Sequence, residues 1–141
     1  MFNPTREQVR RFFFDAWRKY RDGAPLEGLE TAAVEIALLH PEYHPVLDDA
    51  ERFVDRDYTP EGGQTNPFLH MSLHMAVGEQ IGIDQPAGIR AEFERIAAAR
   101  GDRHEALHAV LECLGEVVWQ AQRTGTPPDA QLYLDCLARS R

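Results

Sequence analysis

The chain has 141 residues, 43% of them hydrophobic and 27% charged, the balance of an ordinary globular protein with enough length to enclose a core. A formal net charge of −8 argues against nucleic acid or an anionic membrane as the main partner. No apolar run approaches the length of a membrane span, and the Phe12-Phe13-Phe14 triplet is too short for a signal-peptide core, so a cytoplasmic location is expected. Cys113 and Cys136 show no C-x-x-C spacing and read as two reduced, buried thiols.

Asn3-Pro4 has the form of a helix cap followed by proline at the first helical position, and predicts a helix to about Asp22 that stops at Gly23. Its apolar arc is Val9, Phe12, Phe13, Ala16, Trp17 and Tyr20, with Arg10, Arg11, Arg18 and Arg21 on the opposite side as a solvated face. A second helix is expected from about Leu26 to Leu39, ended by Pro41. The stretch from His40 to Pro45 starts a short helical turn, and Asp48 to Val54 forms another. Asp55 to Thr65, DRDYTPEGGQT, is polar, contains two glycines and a proline, and has the length of loops that serve as lids or binding segments.

Asn66-Pro67 repeats the cap-and-proline signal and opens the least polar segment, Asn66 to Ile83. Asp84-Gln85-Pro86 breaks it and starts the next helix, which carries Ile89, Phe93 and Ile96 and stops at Gly101. Asp102 caps the longest helix, running to about Arg123 before Gly125. Thr126-Pro127 starts the last, whose inward residues are Leu132, Tyr133, Cys136 and Leu137. No stretch alternates as a strand would. The expectation is an all-α, single-domain helical bundle over residues 1–141, with about six to seven helices.

All six histidines fall into three pairs separated by four residues: His40 with His44, His70 with His74, and His104 with His108. Random placement gives well under one such pair. Four-residue spacing sets two imidazoles one helical turn apart, with roughly 5–6 Å between Cβ atoms, from where both can reach one metal ion. On a helical wheel His70, His74, Val77 and Ile81 lie within about 60° of one another, so the imidazoles share the stripe that faces the core. Glu79 falls on the opposite side, near Ser72 and Phe68, and reads as the solvent edge rather than a partner of the histidines. Glu112 stands one turn beyond His108, and Gly115 on the same helix reads as a place where another helix or a ligand comes close.

The predicted site is therefore a transition-metal centre, zinc or iron, between two core helices, with His70, His74, His104 and His108 as ligands and Glu112 as a fifth ligand or orienting group. His40 and His44 sit at a helix break and are left aside as a third pair that would join only if it points inward. If the centre is catalytic, metal-assisted oxidation or hydrolysis is the class. His104-Glu105-Ala106-Leu107-His108 also spells H-E-x-x-H, the zinc-peptidase signature, but the chain offers no substrate-binding edge strand. Nucleophile-elbow, phosphate-loop and dinucleotide motifs are missing from the sequence. Cys113 falls opposite His104 on the wheel, which removes a Cys–His nucleophile pair within that helix. The competing expectation is a non-catalytic adaptor with structural histidines, binding a protein partner through the arginine face of the first helix.

Several separate motifs occur together in order: MFNPTREQVRRFFFDAW, HPEYH, GQTNPFLHMSLH, DQPAGIR and HEALHAVLECLGEVVWQAQRTGTPPD. Over nearly its whole length the chain resembles an uncharacterised proteobacterial family catalogued as domain of unknown function 1841. The resemblance implies a small bacterial cytoplasmic protein. It brings no activity, substrate or ligand, so no functional residue is carried over from it.

Overall fold

The structure, a computed structural model, describes residues 5–58 and 66–141. Among these every regular element is helical: α1 (Arg6–Arg21), α2 (Leu29–Leu38), a 3-10 turn (Pro41–Tyr43), α3 (His44–Leu47), α4 (Ala50–Phe53), α5 (Pro67–Ile83), α6 (Ile89–Arg100), α7 (Arg103–Thr124) and α8 (Ala130–Arg139). The all-α expectation holds. By internal packing the chain divides into two compact units, Met1–Ser72 and Leu73–Arg141, and the division falls within α5.

In the first unit α1 starts at Arg6, two residues after the proline that was expected to open it. Thr5 is the cap: its hydroxyl accepts from the Gln8 amide, and the Gln8 side chain accepts from the Thr5 amide, satisfying two helix-end donors reciprocally. Asn3 and Pro4 lie outside the described residues. Phe13, Phe14, Ala16 and Trp17 form the buried stripe of α1, and α2 supplies Ala33, Val34 and Ala37. The Lys19 ammonium meets the Glu30 carboxylate at 2.8 Å and links the two helices. Trp17 Nε1 donates to Asp48 Oδ1 at 2.7 Å, and Arg21 closes on the same carboxylate.

Arg10 departs from the expected solvated arc. It is only 2% exposed, and its Nη1 donates to the carbonyls of Phe53, Val54 and Arg56 at 3.4, 2.9 and 2.7 Å. The guanidinium also lies 4.8 Å from the centre of the Phe68 ring. The wheel assigned Arg10 to water because a charge is costly to bury. The end of α4 offers carbonyls that repay that cost. Burial and the neighbouring Arg6 lower the Arg10 pKa from its ordinary value. The other arginines of the arc are ion-paired, Arg11 with Glu7, Arg18 with Asp15 and Arg21 with Asp48. Of the expected Asp55 to Thr65 loop, Asp55, Arg56 and Asp57 are held by Arg6, which donates to two of their carbonyls and pairs with Asp57 at 2.7 Å. Residues 59–65, the rest of that segment, lie outside the described residues.

The second unit contains the later turns of α5 with α6, α7 and α8. Its core is apolar: Val77, Ile89, Phe93, Ile96, Val110 and Leu137 are among the residues closed from solvent. Helix ends are sealed by side chains and by turns that need a positive φ. Asp102 accepts from the amides of His104 and Glu105, and Asp129 from those of Gln131 and Leu132. Gly101 and Gly125 end α6 and α7 at φ 70° and 66°. Arg90 donates to the Ile81 and Gly82 carbonyls at the end of α5, and Arg95 to the Leu137 and Ser140 carbonyls at the end of α8.

Several sequence expectations change here. Cys113 and Cys136 form a disulfide joining α7 to α8 rather than two reduced thiols. Their partnership is invisible in one dimension because they meet only when α8 folds back on α7. An added Cβ at Gly115 would meet nothing within 4 Å among the described residues, so no other helix among them approaches closely there. Leu132 is exposed, whereas Tyr133 and Leu137 are buried as expected. Glu79 is exposed as expected, whereas Phe68, on the same side of the wheel, is buried, because α5 is apolar on more than one side. Its first turns supply Phe68 and Met71 to the interior, and a later turn supplies Val77.

Candidate metal centre

The second unit brings together three of the expected ligands. His104 and His108 stand one turn apart on α7, whose start is fixed by the Asp102 cap, and their ring centroids are 4.3 Å apart. His74, on the part of α5 that belongs to this unit, faces both. Its ring lies 5.6 Å from His104 and 5.1 Å from His108. One ring nitrogen of each histidine lies within 4.8 Å of one ring nitrogen of the others. His74 is 3% exposed, and His104 and His108 are half-buried. Three imidazoles converging at the edge of an apolar core can hold a transition-metal ion.

His70 belongs to the first unit, where its ring meets His40 and Tyr43. The Nε2 atoms of His70 and His40 are 3.2 Å apart, and the ring centroids of His70 and Tyr43 are 5.9 Å apart. His70 and His74 are on one helix one turn apart, and the unit division passes between them. Glu112 is exposed on α7. Glu105, the central residue of the H-E-x-x-H match, is exposed as well, and no strand is present among the described residues.

The pair that the sequence left aside contains one residue of interest and one structural residue. His40 is 4% exposed. Its Nδ1 donates to the Ile36 carbonyl at 2.8 Å, which leaves Nε2 to face His70. His44 instead donates its Nε2–H to the Ala37 carbonyl at 2.8 Å and packs its ring 4.5 Å from Trp17. Both carbonyls lie in the last turn of α2, where each also accepts a tightened backbone bond, Ile36 from the Leu39 amide and Ala37 from the His40 amide. The proline-rich break after His40 folds the chain back and turns these imidazoles onto that helix end. One signal was available: His40 lies four residues beyond Ile36, within reach of the last carbonyls of a helix that Pro41 must end. Tyr43 stacks on His40 with centroids 5.2 Å apart, and burial together with Glu42 raises its phenol pKa.

No helix among the described residues is long and apolar enough to cross a membrane. The sequence model of one protein family, described as Domain of unknown function (DUF1841), matches residues 5–139, nearly the whole chain. No curated protein and no solved structure matches it.

Proposed function

The chain belongs to the DUF1841 family, and from that premise and the histidine geometry we propose that it is a transition-metal-binding protein whose ion is held by His74, His104 and His108. The observation that carries this is the approach of three ring nitrogens to within 4.8 Å of one another, from two helices whose ends are independently capped. Zinc and iron are the ions proposed, since neutral imidazole suits both. An ion there would supply Lewis-acid or redox chemistry. The reaction class in keeping with this is hydrolysis or oxidation. The net charge of −8 supports partners other than nucleic acid or anionic membrane. An arginine-faced adaptor has less support, because Arg10 is buried and Arg11, Arg18 and Arg21 are ion-paired.

The test is elemental analysis of untagged protein, with zinc and iron(II) titrations of the wild type and of His74→Ala and His108→Ala. Stoichiometric binding is expected. Each variant should weaken it by more than the roughly 10–100-fold that loss of an outer-sphere partner costs. Glu112→Gln, at an exposed position, should bind as the wild type does. Folded wild-type protein that takes up neither ion, or that binds equally well without His74 and His108, would reject the proposal. A cytoplasmic location is part of the same reading, and the Cys113–Cys136 disulfide weighs against it. Alkylating the producing cells before lysis tests the location: trapping of both cysteines as free thiols would support the cytoplasm, and a disulfide surviving that treatment would place the protein in an oxidising compartment.

A further inference from the structure

We propose that His40 and His70, in the first unit, are a metal-binding pair, each ligating a transition-metal ion through Nε2. This rests on the first unit alone and does not depend on the reading of His74, His104 and His108.

Three observations converge on it. The first is tautomer control. A carbonyl can only accept, so the 2.8 Å contact to Ile36 places the His40 proton on Nδ1 and, in the neutral ring, leaves a lone pair on Nε2. Ligating histidines are commonly fixed in this way, with the far nitrogen donating to a backbone carbonyl while the near one binds the ion. The second is distance. Nitrogens at two tetrahedral positions around zinc, each 2.0–2.1 Å from the ion, stand about 3.3–3.4 Å apart. The observed separation is 3.2 Å, close to that edge length and at the long limit for a hydrogen bond from N–H. The third is ring support. Tyr43 stacks on His40 with only 10° between the planes, while the His70 ring stands at 77° to His40. The His40 ring is thus gripped by Tyr43 on its face and by Ile36 at Nδ1. Its neighbour His44 shows the contrast, since the Ala37 carbonyl occupies its Nε2–H.

The competing account of the same distance is a hydrogen bond in which a proton on His70 Nε2 is donated to His40. The two accounts differ in where that proton is, which can be measured directly. The protein is labelled with nitrogen-15 in its histidines and loaded with cadmium-113, a spin-active stand-in for zinc. Splitting of the Nε2 resonances of both His40 and His70 by cadmium is expected, with the corresponding signal removed in His40→Ala and in His70→Ala. Couplings at His74, His104 and His108 are read in the same spectrum and report separately on the other proposal. A cadmium-loaded, folded protein in which His70 Nε2 keeps its proton and neither nitrogen couples to cadmium overturns the inference. His70→Gln, at a half-buried position that tolerates the change more readily, gives a second reading. Zinc affinity by chelator competition should fall at least about tenfold, and an affinity equal to the wild type would count against the pair.

Discussion

The two units bury different things. The first closes around a cation: Arg10, 2% exposed, spans from α1 to the carbonyls at the end of α4. The second closes around hydrocarbon, with Ile89, Ile96 and Leu137 entirely shielded and the Cys113–Cys136 disulfide binding α7 to α8. Beside α1 and α2 the first unit contains three short elements, the 3-10 turn, α3 and α4, whose end groups outnumber their internal hydrogen bonds, so the interior next to them needs a strong donor. The second has no element that short among its described residues, and α6, α7 and α8 satisfy most of their own backbones and meet chiefly through side-chain volume. The difference teaches what each interior is sensitive to, donor geometry in one case and shape in the other.

Substitutions sharpen this contrast, and the largest effect is expected in the apolar unit. Ile96→Ala should cost about 4 kcal/mol in urea unfolding, from lost transfer energy and the cavity left behind, while Ile96→Val should cost only about 1 kcal/mol. Arg10→Met should cost about 3 kcal/mol because several buried carbonyls lose their donor. Arg10→Lys should cost nearly as much, since an ammonium on a flexible stem does not reproduce the planar fork. A lysine variant as stable as the wild type would show that charge alone, rather than donor geometry, holds the first unit.

Proton linkage offers a smaller and opposite pair of effects. In the first unit the Lys19 ammonium lowers the Glu30 pKa and the Trp17 indole lowers that of Asp48, each chiefly through a direct hydrogen bond. A depressed carboxylate favours the fold above its unfolded pKa, and the benefit is lost as pH falls through the folded value. Acid titration should therefore erode stability below about pH 4. Glu30→Gln and Asp48→Asn should flatten that slope. In the second unit burial raises the Tyr133 pKa, while its hydroxyl donates to Gln80 at 2.7 Å. Its contribution is complete below the unfolded value and is lost as pH rises beyond about 10. Tyr133→Phe should flatten the alkaline limb and leave the acid limb unchanged. Identical acid and alkaline profiles in wild type and variants would remove the linkage account.

Much of the architecture was legible from local chemistry. Pro41, Asn66-Pro67, Gly101 with Asp102, and Gly125 all mark helix ends within the described residues, because proline, positive φ and side-chain capping act on a few neighbouring atoms. The partial misses have the same origin. Thr5 caps α1 through a capping box with Gln8, a signal that the neighbouring Asn3-Pro4 pattern obscured in the sequence. α8 starts at Ala130, beyond the Thr126-Pro127 signal, with Asp129 as its cap, because the aspartate offers two helical amides an acceptor.

For the candidate site, the four-residue histidine spacing was sufficient to pair His104 with His108, since a helix repeats within one turn. What the sequence by itself determined about this protein is therefore the helical class, most helix ends and the occurrence of imidazoles in facing pairs. Only the tertiary structure decided that His74 meets the α7 pair, that His70 turns to His40, that Arg10 is interior and that Cys113 bonds Cys136. The physical reason is range. Capping and periodicity act over at most a few residues along the chain, whereas each of these meetings joins groups that many residues separate, and no local pattern carries their distance or direction.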